Sequence, residues 1–149
     1  MLSIFWEQHA LARSLYGDCL EDVCKTHGMT RMEMDILLFL ANNPQYDTAA
    51  DMVEIRQLAK SHVSMAVKTL TERGMLTRHY KSGNRKTVHL RLTKKADPIV
   101  QDGKKAQEKF VSILYAGFSG EEVQQCRELF CKIRENIRDY YVLSESHHA

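Results

Sequence analysis

Residues 60–93 read KSHVSMAVKTLTERGMLTRHYKSGNRKTVHLRLT, and a change of apolar period inside this stretch decides the fold. Over 61–74, Val63, Ala66, Val67 and Leu70 fall on one helical face, and Gly74 supplies a C-terminal stop. From Met75 onward the period drops to two. Leu76, Arg78 and Tyr80 alternate with Met75, Thr77 and His79, and later Val88, Leu90 and Leu92 alternate with Thr87, His89 and Arg91. That alternation predicts two strands. Between them, residues 81–86 contain Gly83 and Asn84, which tolerate the positive φ a hairpin turn requires, so Arg85 and Lys86 are expected at a protruding basic tip.

Working upstream, Thr48 with Asp51 offers an N-terminal cap for a short helix of about two turns ending near Arg56. A second cap, Thr30 with Glu33, predicts a helix starting near Arg31 and carrying Met34, Leu37, Leu38 and Ala41. Asn42, Asn43 and Pro44 stop it, because Pro has no N–H to donate and biases its predecessor away from the helical region. Residues 4–24 show the three-to-four spacing of a helix with one apolar stripe. Downstream, helical periodicity resumes after Thr93 or Asp97 and runs to about Ala116. Ser119 with Glu122 then caps a last helix through Val123, Cys126, Phe130, Ile133, Ile137 and Tyr140 or Tyr141, and Ser144 to Ala149 read as a frayed tail. The class is mainly α with a small β-hairpin (α+β). Two short helices, a tight turn and a basic hairpin follow the order of a winged helix-turn-helix.

Charge singles out the same region. Residues 1–54 carry three Lys/Arg against nine Asp/Glu, residues 55–95 eleven against one, and residues 96–149 seven against nine. A central block at +10 in a chain whose net charge is only +2 is an electrostatic footprint for a polyanion, because each cation set against a phosphate releases condensed counterions. No acid occurs from Arg73 to Ala96. On the predicted reading helix, the face opposite Val63, Val67 and Leu70 carries Ser61, Met65 and Lys68, flanked by Lys60, His62 and Ser64. These short or flexible groups allow close approach to base edges and phosphates of double-stranded DNA. In the hairpin, Arg78, Lys81, Asn84, Arg85 and Lys86 are the expected backbone or minor-groove contacts.

The remaining composition excludes other classes. With 149 residues, 44% of them apolar, and nine Gly plus Pro, the chain is expected to form a single folded domain. Its longest apolar run is the six residues from Ile36 to Ala41, far below the roughly 20 that a membrane span needs, and no secretory leader is apparent, so the cytoplasm is the expected compartment. Cys19 and Cys24, like Cys126 and Cys131, lie five apart on helical segments and are read as reduced thiols. No GxSxG, HExxH, P-loop or GxGxxG motif is present, and no cofactor, metal site or catalysis is expected.

These motifs resemble the MarR family of bacterial transcriptional regulators across nearly the whole chain. The family's Leu-x-x-Arg-Gly-hydrophobic-hydrophobic pattern is similar to residues 70–76, from Leu70 through Arg73 and Gly74 to Leu76. Its Lys/Arg-Ser-x-Val-Ser pattern matches Lys60-Ser61-His62-Val63-Ser64. Its wing motif is similar to Asn84-Arg85-Lys86 followed by Val88, Leu90, Leu92 and Thr93. Three positions depart from the pattern. Asn84 replaces an Asp, Gln57 replaces a turn Gly, and Ala59 replaces a capping Ser, which leaves Ser61 as an alternative cap.

The resemblance implies a homodimeric regulator binding a pseudo-palindromic operator. Residues 30–95 would form the DNA-binding lobe, and residues 1–28 and 97–149 the dimerisation helices. It also implies release by a small aromatic or amphipathic effector in a pocket that Trp6, His9, Tyr16 and Phe39 are expected to line. Some relatives sense peroxide through a cysteine of the first helix, for which Cys19 is the counterpart. The family's paired-histidine metal site has no counterpart, since residues 94–117 hold no His and His147 and His148 sit in the tail. Two alternatives follow: a thiol-based redox regulator using Cys19, and a winged-helix module that contacts protein and not DNA. Steep salt dependence of duplex affinity separates the second alternative from a DNA regulator.

Overall fold

The computed structural model describes residues 1–146, with side chains described through Val142. The elements run α1 (Leu2–Thr26), α2 (Arg31–Asn42), α3 (Ala49–Arg56), α4 (Lys60–Glu72), β1 (Leu76–Lys81), β2 (Asn84–Leu92), α5 (Asp97–Leu114) and α6 (Gly120–Ser146), with one 3-10 turn at Lys94–Ala96 before α5. The chain divides into two compact units, Met1–Val111 and Ser112–Ala149. Among the described residues, no helix is long and apolar enough to cross a membrane.

The predicted caps form. The Thr30 and Thr48 side chains each accept the backbone N–H three residues on, and Glu33 and Asp51 reach back to close the capping boxes of α2 and α3. Ser119 and Glu122 repeat the exchange ahead of α6. Reciprocal capping satisfies N–H groups that the first helical turn leaves without partners, which is why these starts are fixed locally.

The core of the first unit is built on α2, whose Met34, Ile36, Leu37 and Leu38 are buried together with Leu20 of α1, Met52 of α3, Val63 and Leu70 of α4, and Leu76 of β1. Burying side chains of this size stabilises by about 1.5–3 kcal/mol each. Helix α5 lies tightly on α2 at Gly103, where an added Cβ would stand 2.9 Å from a Leu38 methyl and 3.2 Å from Met34 Sδ.

Three local expectations are corrected. The hairpin turn is only Ser82-Gly83, with Gly83 at φ +82° and Lys81 paired to Asn84, so Arg85 and Lys86 lie at the start of β2 and not on a loop. Helix α4 has Ala59 at its N-cap with no side-chain cap, and Ser61 is already inside the helix. Ser144 to Ser146 continue α6 and do not form a frayed tail; His147, His148 and Ala149 lie outside the described residues.

The replaced turn glycine has a visible consequence. Gln57 ends α3 at φ 51° and ψ 45°, the left-handed region, with its side-chain amide donating to the Glu54 carbonyl at 2.7 Å. Holding a side chain there costs about 1–2 kcal/mol, of which that hydrogen bond and the lower entropy of an unfolded Gln recover a part. Gln57→Gly is therefore expected to stabilise the protein by about 0.5–1 kcal/mol in urea unfolding; an unchanged or lower midpoint would show that the turn is unstrained.

Candidate nucleic-acid interface

Helix α4 packs through Val63, Ala66, Val67 and Leu70, all buried, which forces the opposite face outward. Lys60, Ser61, His62, Ser64, Met65 and Lys68 are all exposed, and Met65 is 67% exposed although it is apolar. The first turn of α4 contains no acid and its N–H groups have no side-chain cap. Its positive dipole end therefore adds to the field of Lys60. Lys68 meets Glu72 only at 3.9 Å with both side chains mostly in water, a weak pair that leaves the ammonium available.

The hairpin stands next to this helix. Residues 81–86 are all exposed, and Asn84 organises them. Its side-chain oxygen accepts from the Lys86 N–H at 2.9 Å and the Thr87 N–H at 3.3 Å, while its amide donates to Thr87 Oγ1 at 3.2 Å. The Asn84 amide group thus bonds within the hairpin, and β2 carries no acid to pair with Arg85. Arg78, Lys60 and Ser64 share a cleft of about 380 Å³ floored by Val53, Val67 and Val88, so helix and hairpin form one continuous surface.

A polar latch that the sequence did not reveal holds the base of the hairpin. His89 Nδ1 lies 2.6 Å from Asp47 Oδ1, Lys81 Nζ lies 3.8 Å from Asp47 Oδ2, and the His79 ring stacks obliquely 5.6 Å from that of His89. The Leu90 N–H also donates to the Asp47 carbonyl at 2.7 Å, and Thr48, the cap of α3, bridges to His89. Burial works to raise the Asp47 pKa, but the His89 hydrogen bond and the charges of His89, Lys81 and His79 hold it below the ordinary carboxylate range.

Of the four residues expected around an effector, two come together. His9 and Tyr16 line an open groove of about 680 Å³ with Arg13, Arg31, Asp35, Arg56, Gln57 and Phe110. The Arg31 guanidinium lies 4.8 Å over the Tyr16 ring and donates to Asp35 at 3.0 Å, and Phe110 meets Tyr16 edge-on at 5.2 Å. Phe39 is instead a core residue, 5% exposed, and Trp6 stands in solvent beside Phe5, so neither lines the groove. The arginines were missed because helical spacing reports which residues share a face, not which elements that face meets.

All four cysteines are free. Cys19 is buried at 8% exposure, and burial pushes the Cys24 thiol up despite the nearby Arg31 charge. Within the Ser112–Ala149 unit, burial and the neighbouring Cys126 raise the Tyr115 phenol.

Residues 27–85 match the family model described as the MarR family. The HTH-type transcriptional regulator YdgJ of Bacillus subtilis (strain 168) is 25% identical over 118 residues, covering 79% of this chain and 70% of that protein. A MarR family transcriptional regulator of Listeria monocytogenes, solved with a 26mer DNA, is 20% identical and superposes with a TM-score of 0.79 over 96% of this chain and 94% of that one. The MepR–DNA complex of S. aureus is 16% identical, with a TM-score of 0.65 over 92% of this chain and 96% of that one.

Proposed function

We propose that the chain, whose residues 27–85 match the MarR family model, is a transcriptional regulator of that family: a cytoplasmic homodimeric repressor that binds double-stranded DNA and is released by a small anionic aromatic effector. The observation that carries this reading is the outward row Ser61, Ser64, Met65 and Lys68 on α4, set beside a cationic hairpin in a stretch without acids. Hydroxyl and ammonium groups read base edges, and the flexible Met65 thioether suits a thymine methyl. Lys60, Arg78, Lys81, Arg85 and Lys86 serve the phosphates, and His62 and Asn84 sit at the same edge. Residues 30–95 act as the DNA-binding lobe within one functional domain.

The homodimer reading rests on apolar side chains that stand exposed among the described residues. Leu2, Ile4, Phe5, Trp6 and Leu11 of α1 are at least half exposed, and α6 leaves Phe130, Ile133, Ile137 and Tyr140 about half exposed or more. A second copy is the occupant that covers both stripes, and residues 1–28 and 97–149 supply them. A two-fold dimer sets two α4 helices on successive major-groove turns, giving a rough palindrome with half-sites about 10 bp apart. The effector reading rests on the groove lining, where Arg13, Arg31 and Arg56 accompany Asp35 and the Tyr16 and Phe110 rings, a site suited to an aromatic carboxylate.

Fluorescence anisotropy of duplex binding across a salt series tests the reading. The affinity should fall steeply with salt and depend on sequence. Arg85→Ala should weaken all duplexes alike and flatten the slope of log affinity against log salt by about one unit. Ser64→Ala or Lys68→Ala should alter preference among sequences. Salt-independent binding, or an Arg85→Ala slope equal to wild type, would overturn the assignment and favour a protein-contact module.

A further inference from the structure

Arg73 closes the reading helix and is one of the eleven cations of the basic block, yet its guanidinium faces the protein. Nη1 donates to the Gly28 carbonyl at 3.0 Å and Nη2 to the His27 carbonyl at 3.1 Å. Nη1 also stands 3.5 Å from Glu33 Oε2, a carboxylate whose side chain is only 7% exposed and which already accepts the Thr30 N–H in the α2 cap. One planar fork thus binds the α1–α2 corner and the start of α2 together. The same corner is tied to α5, because the His27 ring lies 3.0 Å from Asp102, itself held by Lys105 at 2.9 Å.

The rest of the seat of α4 is apolar. Val63, Val67 and Leu70 hold the helix on the core, and apolar packing has no direction of its own, so it sets depth better than rotation about the axis. The N-terminal end has no side-chain cap. The directional contacts of α4 with the α1–α2 corner and α2 therefore concentrate at Arg73.

We propose that Arg73 is a positioning residue for DNA reading: its fork fixes the rotation of α4, and through His27 and Asp102 it links that setting to α5. The proposal rests on the DNA-binding reading above. An arginine is required because a lysine offers a single point charge that pairs with Glu33 but cannot bridge two carbonyls through separate nitrogens.

The test uses the full chain and a duplex selected from a random library by the wild-type protein, with a scrambled duplex as control. Arg73→Lys keeps the charge and removes the fork. It should weaken the selected duplex about tenfold, leave the scrambled duplex unchanged and preserve the salt slope. Arg73→Gln is made together with Glu33→Gln, so that no buried carboxylate is left unpaired and the cap is retained. This pair should show the same loss of discrimination, again with the wild-type slope. A slope lower by one unit in the Gln variant, retained in the Lys variant, would identify Arg73 as a phosphate contact and overturn the proposal. Wild-type discrimination in Arg73→Lys, or equal losses on both duplexes, would overturn it too. If the wild-type protein binds no duplex, the functional reading fails and the role of Arg73 falls with it; wild-type binding with an unaffected Arg73→Lys sinks this inference alone.

Discussion

In the proposed homodimer, Ile133→Glu combined with Ile137→Glu should leave only monomer by light scattering and lower the affinity for a palindromic duplex at least about 100-fold. Phe130, Ile133, Ile137 and Tyr140 recur at intervals of three and four along α6, the spacing of a helix-packing seam, and all four are exposed at 47% or more. A carboxylate carried into such a seam on association must lose its hydration without a partner, and two per chain place four in one interface. The loss in DNA affinity follows from linkage. Two tethered reading helices gain effective concentration for the second half-site, and separate monomers forfeit that gain without losing a single contact per half-site. Glu135→Gln, on the same helix but outside the seam, should leave mass and affinity unchanged. If the doubly substituted protein stayed dimeric and bound normally, the α6 seam would have no part in association.

The parts of this molecule that were legible in its sequence are those decided within a few residues. Capping boxes at Thr30, Thr48 and Ser119 require only a hydroxyl and a carboxylate three positions apart, and each start falls where that spacing puts it. The buried face of α4 follows from its own period. The hairpin was harder, since Gly83 and Asn84 both suit a turn and the choice between them is made by strand pairing: Lys81 opposite Asn84 extends β2 and draws Arg85 and Lys86 onto the strand. What was not legible depends on contacts distant along the chain. Asp47 and His89 are 42 residues apart, Arg73 and Gly28 are 45 apart, and neither pair leaves a local pattern. Phe39 shows the same limit from the other side: an aromatic on an apolar helix face looks the same whether that face meets a groove or the core.

The latch at Asp47 leads to the second large effect. Asp47→Ala should lower stability by about 2–3 kcal/mol at neutral pH, because it removes a charge-assisted hydrogen bond and leaves the buried His89 Nδ1 without its acceptor. Lys81, 63% exposed and 3.8 Å away, contributes little to that figure. The sign of the pH dependence follows from the direction of the shift. The folded-state pKa of Asp47 is depressed, so its contribution is complete above the unfolded value of about 4 and is lost as pH falls through the lower folded value. Wild-type Tm should therefore fall with acid below about pH 4 more steeply than that of Asp47→Ala, and the two curves should converge at the acid end. Duplex affinity should fall as well, since the His89–Asp47 bond helps fasten the hairpin to the segment that caps α3, and loosening it adds an ordering cost to every phosphate contact proposed for Arg85 and Lys86. That loss should be shared by all sequences and should leave the salt slope unaltered, because no cation has been removed. Parallel acid limbs for the two proteins would show that the Asp47 carboxylate is not what fastens the hairpin.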